Sequence, residues 1–389
     1  MDAPRSAVDL FADEALDDPY PLLRELRDAG PLVWLEAIGM HAATRYADVR
    51  RILDDDETFV SGEGVAVNDV INELGRGTTL MSDGDVHRNQ REIIGRPLTP
   101  QALAELRPDA QAIADRLVDA LVGRPEIDAV ADLAEVLPAT WVPDLLGWPE
   151  DEREHLVAWA SDQFDGLGPL NDRAIAASDG ILAMSAYAQV LAGSALPAGC
   201  FGARIQAAVE QGELSPARGP MLFIDYLAPS LDTTISAIGN AVWLFATHPD
   251  QWELLRAEPQ RIKAAFNEVL RVETPISCFT RVAAADTEVD GVPLAAGSRV
   301  LVSFTSANRD ERRWDEPDRF DITRESAAQL AFGHGEHACV GMGLARLEGA
   351  AVLTALVERV QSIDLVAEPV RKRNNLIRAF ASLPVRLNP

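Results

Sequence analysis

Apolar residues recur at intervals of three and four over most of the chain, the spacing that gathers them on one face of an α-helix. The longest predicted helix runs from about Ser215 to Thr247, with Ser215-Pro216 as N-cap and first helical residue. His248-Pro249 ends it and opens the next helix. The same spacing predicts further helices over residues 103–122, 343–360 and about 260–272.

Strand patterns are few and short. Alternating or β-branched runs predict strands over residues 32–35, 42–45, 298–304 and near 378–387. Residues 288–294 carry an Asp-Gly turn and predict a hairpin. We find no repeat and no long flexible linker. The pattern therefore predicts one domain, residues 1–389, mainly α with small β-sheets, an α+β architecture.

The composition restricts the location and the partners that we expect for this domain. Apolar residues make up 47% of the 389 residues, enough to bury a large core. No apolar run reaches about 18 residues, and the start has no signal-peptide core, so we expect a soluble, cytoplasmic protein without membrane association. A net charge of −26 argues against nucleic acid and anionic membranes as partners. Three cysteines fit a reducing compartment.

The most specific segment is the loop Phe332-Gly-His-Gly-Glu-His-Ala-Cys339-Val-Gly341. Its glycines permit backbone angles that other residues avoid, and a predicted helix follows directly. A helix N-terminus stabilises negative charge, which favours a Cys339 thiolate, a strong iron ligand. The alternatives are a buried apolar cysteine and a zinc site with His334 and His337, for which a fourth ligand is missing nearby.

This loop resembles the haem-binding loop of the cytochrome P-450 superfamily, Phe-Gly-x-Gly-x-His-x-Cys-x-Gly. Every fixed position is matched, by Phe332, Gly333, Gly335, His337, Cys339 and Gly341. The resemblance implies the P-450 fold, a triangular helical domain around haem b. It also implies Cys339 as the axial iron ligand, with Phe332, Gly333, His337 and Gly341 in the binding loop. The activity implied is that of a haem-thiolate monooxygenase.

The resemblance assigns roles to two further groups of charged residues. His87 and Arg91 lie four residues apart, which alone indicates only a basic helix face. The resemblance implies that they bind one haem propionate and that Arg281 and His337 bind the other.

Glu268 and Arg271 lie three residues apart, a spacing that alone indicates an ordinary exposed helix pair. In the superfamily a Glu-x-x-Arg pair lies behind the haem. Its third partner comes from a Pro-x-Arg-Phe segment, here with Arg319. The resemblance therefore implies a buried triad of Glu268, Arg271 and Arg319.

The long predicted helix carries Asp232-Thr233, which alone would be a polar helix face. The resemblance implies that Thr233 holds the distal water and dioxygen over the iron, and that Asp232 connects protons from solvent. The chain departs from the family at Pro229-Ser230, where Ala-Gly is common. Because proline lacks an N–H, the carbonyl of Asp225 loses its helical partner, so we expect a kink, with Ser230 adding a hydroxyl to the water chain.

Over most of residues 100–389 the chain resembles the bacterial enzymes that demethylate or hydroxylate para-substituted benzoates. The alignment implies that Phe164, Leu167 and Phe279 line the substrate pocket, and we add Ala228 of the long helix. The position of Leu167 is aromatic in the relatives, so a roomier pocket is expected.

The polar end of this pocket departs from the relatives, which have an Arg-Ser pair where this chain has Ile224-Asp225. A carboxylate does not favour a benzoate anion. We therefore expect a small, single-ring aromatic whose hydroxyl or amine pairs with Asp225. The alternatives are that Asp225 faces solvent or caps a backbone group, or that Arg76 and Thr79 form the anchor.

Electrons have to come from outside the chain. No Gly-x-Gly-x-x-Gly opens a helix after a strand, so no flavin or nicotinamide domain is predicted. The expected partner is an iron–sulfur ferredoxin with an NAD(P)H-dependent reductase, docking at arginines such as Arg88 and Arg346. The competing functions are a peroxide-driven peroxygenase of the same fold and a non-enzymatic haem sensor.

Overall fold

The computed structural model describes residues 3–389; residues 1–2 of the predicted domain lie outside the described part. Within it the α-helices are α1 (Asp13–Asp17), α2 (Tyr20–Ala29), α3 (Tyr46–Asp54), α4 (Asp69–Leu74), α5 (Gly84–Gly95), α6 (Pro100–Leu121), α7 (Val136–Leu146), α8 (Leu156–Gly166), α9 (Asp172–Ala176), α10 (Ser178–Gly193), α11 (Phe201–Glu210), α12 (Gly219–Thr247), α13 (Pro249–Ala257), α14 (Ile262–Val272), α15 (Phe304–Ala307) and α16 (Met342–Arg359). A π-helix spans Ala129–Ala134. Short 3₁₀ turns occupy Arg96–Leu98, Arg153–His155, Pro216–Arg218, Pro259–Arg261 and Gly335–His337.

The strands are β1 (Arg5–Ser6), β2 (Val33–Leu35), β3 (Met40–Ala43), β4 (Phe59–Val60), β5 (Ile127–Asp128), β6 (Cys278–Ala283), β7 (Thr287–Val289), β8 (Val292–Leu294), β9 (Arg299–Ser303), β10 (Ser362–Leu365), β11 (Val370–Arg373), β12 (Arg378–Ser382) and β13 (Pro384–Asn388). The largest sheet has the order β1-β2-β3-β9-β6-β4. Three smaller sheets are β10-β13-β5, β11-β12 and β7-β8. The mainly helical, α+β architecture predicted from the sequence is confirmed.

The core is organised around α12, which is buried on nearly every side. Helices α8, α10 and α16 pack against it, together with the π-helix and the small sheets at the carboxyl end of the chain. Most of its apolar residues are buried, and three of them, Leu222, Leu227 and Phe245, are each at most 1% exposed. A helix that is apolar all round suits such a central position, because every face finds a packing partner.

Most predicted element boundaries agree with the structure to within a few residues, with two differences. The long helix begins at Gly219, because Pro216–Arg218 form a 3₁₀ turn and the Ser215 side chain makes no capping hydrogen bond. The strand expected near 378–387 is interrupted at Leu383, so β12 and β13 join different sheets. The Asp-Gly hairpin is confirmed, since Asp290 and Gly291 have φ angles of 48° and 77° between β7 and β8.

Candidate functional site

The cysteine loop approaches the core between β9 and α16 as an irregular segment. Gly333 and Gly335 have φ angles of 68° and 69°, the left-handed region in which glycine avoids strain. A Cβ on Gly335 would also collide with the carbonyl of Leu53. The N–H of Cys339 donates to the Phe332 carbonyl at 2.8 Å, which closes the loop. The two glycines and this bond fix the position of the thiol.

The electrostatics of the Cys339 thiol are a balance of opposing effects. Burial raises its pKa, whereas N–H groups of Gly341 and Met342 and the charge of Arg91 lower it. Burial dominates, so the pKa of the thiol lies above its ordinary value in the chain alone. The expected stabilisation by backbone N–H groups is present, but it is weaker than the desolvation. A cation facing the sulfur would be needed to favour the thiolate strongly.

Four basic side chains predicted to act together lie around the same cavity as Cys339: His87, Arg91, Arg281 and His337. The rings of His87 and His337 stack with their centroids 4.0 Å apart. Both ring nitrogens of His87 are buried without a hydrogen-bond partner, and burial lowers the pKa of His87 to about 4. The His87 ring is therefore neutral at pH 7 and still lacks its hydrogen bonds.

Two of these side chains are arginines without a carboxylate partner: Arg281 is buried and Arg91 is half-buried. Arg281 is 4% exposed and donates to the Thr280 carbonyl at 2.8 Å, and it forms no ion pair with a described residue. Burial lowers the pKa of Arg281 to about 10. Arg91 donates to the Ala338 carbonyl and likewise lacks an ion pair within residues 3–389. Because buried charges are normally paired, this arrangement fits an anionic group with two carboxylates.

Thr233 and Asp232 of α12 face different surroundings. Thr233 lines the cavity, and its hydroxyl donates to the Pro229 carbonyl at 2.7 Å. Asp232 is 2% exposed and does not line the cavity; its carboxylate receives hydrogen bonds from Lys372 of β11 at 3.0 and 3.1 Å. Burial raises the pKa of Asp232, and Lys372 partly offsets this. Sequence analysis missed Lys372, which lies 140 residues away with no motif around it.

Helix α12 is continuous through Pro229. Pro229 itself lines the cavity, so the position without an N–H faces the open space. The Ser230 hydroxyl donates to the Tyr226 carbonyl one turn earlier. Its oxygen can still accept a hydrogen bond, and Ser230 lines the cavity, so the expected contribution of Ser230 to a water chain stays a prediction.

The predicted substrate residues line this same cavity. Phe164 of α8, Leu167, Ala228 of α12 and Phe279 of β6 contribute apolar surface. Phe279 is held by an edge-to-face contact with Phe304, with ring centroids 5.8 Å apart. Polar groups that sequence analysis did not single out, Gln163 and Ser185 among them, also reach the cavity. The result is an apolar chamber with a few polar groups.

Asp225 also lines the cavity, and it caps backbone groups of the segment between α4 and α5. The N–H of Thr79 donates to its Oδ2 at 2.8 Å, and the N–H of Leu80 supports the carboxylate as well. Burial raises the pKa of Asp225 to about 6. Arg76 does not line the cavity; it is 51% exposed and pairs with Glu73 at 2.8 Å. The structure therefore shows that Asp225 both caps backbone groups and lines the cavity, and it leaves Arg76 outside the site.

The buried pair behind the site confirms two predicted residues and corrects the third. Arg271 donates to both oxygens of Glu268 at 2.8 Å, and both side chains are fully buried. Arg319 is wrong as the third side chain: it is 56% exposed, pairs with Glu316, and offers only its carbonyl to Arg271. Arg324 replaces it, with its Nε 3.2 Å from Glu268. Within the Pro-x-Arg-Phe segment the Arg319 side chain points outward while Phe320 is buried, and Arg324, five residues after Arg319, points inward.

Of the two arginines predicted to dock a partner, one is free to do so. Arg88 is 57% exposed beside the cysteine loop, where it pairs with Asp85 at 2.6 Å and lies 3.5 Å from Glu336. Arg346 is half-buried, because it donates to Asn267 and stacks on the Phe332 ring at 4.9 Å. The exposed side of the cysteine loop thus offers Arg88 rather than Arg346 to a partner.

The zinc alternative for the cysteine loop finds no support in residues 3–389. No cluster of three or more histidine, cysteine, aspartate or glutamate side chains in this range could hold a metal ion, so the zinc site with His334 is not formed. Within the described residues, no helix combines the length and the apolar character that crossing a bilayer requires.

The fold and this site define a haem-thiolate enzyme: a cysteine in a glycine loop, buried basic groups for two carboxylates, and an acid-threonine pair on a central helix. Comparison with known proteins agrees. The model of the family described as Cytochrome P450 matches residues 203–383. The chain belongs to the cytochrome P450 family, is a bacterial P450 monooxygenase, and has haem b as its cofactor.

Individual relatives extend the likeness to almost the whole chain. Cytochrome p450 CYP199A2 of Rhodopseudomonas palustris is 39% identical over 99% of this chain and 95% of its own length. Vitamin D(3) 25-hydroxylase of Pseudonocardia autotrophica is 30% identical over 98% of this chain and 96% of its own length. The solved structure of cytochrome P450 CREJ in complex with (4-ethylphenyl) dihydrogen phosphate superposes with a TM-score of 0.87 at 28% identity, covering 96% of this chain and 98% of that one.

Proposed function

We propose that the chain inserts one oxygen atom from O₂ into a small, single-ring aromatic substrate, by hydroxylation or O-demethylation. An external iron–sulfur ferredoxin with its NAD(P)H-dependent reductase supplies the electrons, and the protein acts in the cytoplasm as one domain, residues 1–389. The observation that carries the proposal is one apolar cavity that both Cys339 and Thr233 line.

The basic residues and the cysteine hold the cofactor in this proposal. Cys339 would hold the haem iron through its thiolate, and the positive metal would favour the thiolate against the desolvation of the thiol. Arg91 and His87 bind one propionate, and Arg281 and His337 bind the other, which satisfies the groups that lack partners. When bound, haem supplies the chemistry of O₂ activation and oxygen transfer.

The protein supplies protons through α12. Asp232 takes up a proton on the side that faces Lys372, and its raised pKa makes the carboxyl a better proton holder than an exposed aspartate. Thr233 holds a proton on its Oγ1 at the cavity wall. In the structure this hydroxyl donates its hydrogen bond to the Pro229 carbonyl. The aromatic side chains of the cavity, Phe164 and Phe279 among them, exclude water and hold the ring.

A small aromatic substrate is supported by the cavity and by one structural relative. Aromatic and aliphatic side chains dominate the lining, and few polar groups interrupt it. The CREJ structure, similar over nearly its full length, contains a para-substituted single ring. A chamber of this kind binds a flat ring by apolar contact and orients it by a small number of polar groups.

The test is turnover of the haem-loaded protein with para-methoxy-substituted single rings, measured as product formed and O₂ consumed. We expect product with ferredoxin, reductase and NAD(P)H, and much less with hydrogen peroxide alone. Turnover with peroxide alone would identify a peroxygenase. Ligand-dependent binding of a protein partner without O₂ consumption would identify a sensor. Cys339→Ser is the matched control, and a thiolate-type carbon monoxide spectrum in this variant would refute the ligand assignment.

The ferredoxin part has a separate test at the exposed Arg88. Charge reversal, Arg88→Glu, should slow reduction by ferredoxin and weaken its dependence on salt, because a docking cation is lost. Arg50→Glu on α3 is a control at a similarly exposed arginine, 48% exposed, which should leave reduction unchanged. Equal rates for the two variants would show that Arg88 takes no part in docking.

A further inference from the structure

The far end of the cavity combines three hydrogen-bond acceptors with no cation. Asp225 lies eight residues before Thr233 on α12, about 12 Å along the helix axis at roughly 1.5 Å per residue. This distance matches the length of a para-substituted single ring whose reacting group points at Thr233. Asp225 therefore faces the end of the substrate that is remote from the chemistry.

The Asp225 carboxylate is held by hydrogen bonds but has no ion-pair partner among the described residues. Backbone N–H groups of Thr79 and Leu80 hold it, and no arginine, lysine or histidine among the described residues forms an ion pair with it. The basic side chains that line the cavity are His87, Arg91, Arg281, His334 and His337, which belong to the cysteine-loop and propionate side. A second negative charge at this end would face Asp225 without compensation.

Two further acceptors accompany the carboxylate. The Asp225 carbonyl points along α12 toward position 229, and Pro229 has no N–H to donate to it. Asp225 and Pro229 both line the cavity, so the carbonyl that lacks its helical donor lies between two lining residues. The hydroxyl of Thr79, a residue only 4% exposed, lies beside the carboxylate but makes no hydrogen bond of good geometry. Buried polar groups without partners in a binding cavity indicate a ligand that supplies them.

On the basis of the proposed function, we propose that the substrate carries a hydrogen-bond-donating group at its remote end, foremost a protonated amine, that binds Asp225 and Thr79. An ammonium group has three N–H donors and a positive charge, which match one carboxylate, one carbonyl and one hydroxyl. A phenol hydroxyl satisfies one acceptor and binds less tightly. A carboxylate is rejected, because it brings like charge and no donor.

The experiment compares three rings that differ only in this group: para-methoxybenzylamine, para-methoxyphenol and para-methoxybenzoate. Binding to the haem-loaded protein is measured at pH 7.5 by calorimetry and by the substrate-induced shift of the haem absorption band. Displacement of iron-bound water and direct coordination of the amine to iron shift this band in opposite directions. The spectrum therefore tells whether the amine is at the remote end or on the metal.

We expect the amine to bind at least tenfold more tightly than the benzoate. Asp225→Asn keeps an acceptor oxygen for the Thr79 N–H but removes the charge. It should weaken amine binding roughly 10- to 100-fold, the range of a charge-assisted hydrogen bond, and should strengthen benzoate binding. Asp109→Asn, an exposed carboxylate on α6, is the matched control and should change neither affinity.

Tighter binding of benzoate than of amine to the unmodified protein would overturn this inference and leave the proposed function standing. An unchanged amine-to-benzoate ratio in Asp225→Asn, or an amine spectrum of direct iron coordination, would overturn it as well. If none of the three rings binds to haem-loaded protein, the single-ring substrate itself is wrong, and the inference falls with it. Should Asp225→Asn fail to load haem, Asp225→Ser removes the same charge and the same ratios decide.

Discussion

Glu348 of α16 is a carboxyl group that the protein keeps buried, and it predicts a measurable pH dependence of stability. The side chain is 1% exposed, and its Oε2 has no hydrogen-bond partner among the described residues. Burial raises the pKa of Glu348 from 4.5 to about 8. The folded protein therefore holds a proton here at pH 7, whereas the unfolded chain releases it.

The sign and size of the effect follow from proton linkage. Between pH 4.5 and about 8 the folded state binds one proton more than the unfolded state, so stability falls as pH rises through this window. Each pH unit in the window costs about 1.4 kcal/mol. From pH 5 to pH 7.5, Glu348 should therefore lower the free energy of unfolding by about 3 kcal/mol.

Glu348→Gln removes the titration and keeps the shape of the side chain. On going from pH 5 to pH 7.5, the free energy of unfolding of the variant should rise by about 3 kcal/mol relative to that of the unmodified protein. Urea unfolding followed by circular dichroism measures this difference. The difference between the two pH values cancels any constant cost of the amide. Glu105→Gln on α6, an exposed carboxyl, is the control and should show no such difference. A difference below about 1 kcal/mol for Glu348→Gln would refute the buried, neutral carboxyl.

Three further predictions concern other parts of the site. Arg324→Gln should lower the free energy of unfolding in urea by about 1.5–3 kcal/mol, because it breaks a hydrogen bond to a buried charge. Arg319→Gln, at an exposed arginine, should lower it by at most about 1 kcal/mol, and equal losses for the two variants would contradict the structure. Lys372→Met should raise the pKa of Asp232, moving the acidic limb of the pH–rate profile to higher pH; an unmoved profile would exclude a role for Lys372. Pro229→Ala should lower product formed per NAD(P)H consumed, and unchanged coupling would show that the missing N–H is unimportant.

Local sequence patterns were sufficient where the chemistry itself is local. The Asp290-Gly291 turn has the positive φ angles that its residues favour, and Gly333 and Gly335 have the angles that the cysteine loop requires. Helical apolar spacing gave α6, α14 and α16 to within a few residues. Each of these features depends on residues close together in the chain, so the sequence contains the information directly.

The features that sequence analysis missed depend on contacts between distant segments. Lys372 reaches Asp232 only because β11 lies beside α12, and no spacing in the chain predicts this. Arg319 fitted a family pattern, but the turn at this segment exposes it and brings Arg324 inward. Glu348 looked like an ordinary polar residue in an amphipathic helix. Its burial follows from the packing of α16 in the core, which residue type alone does not indicate.

Family membership predicts the residues at one end of the cavity better than those at the other end. Thr233 and Cys339 line the same cavity, and in the proposed function the geometry of a shared cofactor limits which residues can stand there. Asp225 lies about 12 Å from Thr233 along α12, where backbone N–H groups of Thr79 and Leu80 hold its carboxylate. If Asp225 binds the substrate as we propose, a change at this position alters the charge that the pocket accepts without altering the oxygen chemistry. Identity of 39% to CYP199A2 therefore transfers the reaction class, whereas the substrate has to be determined at Asp225.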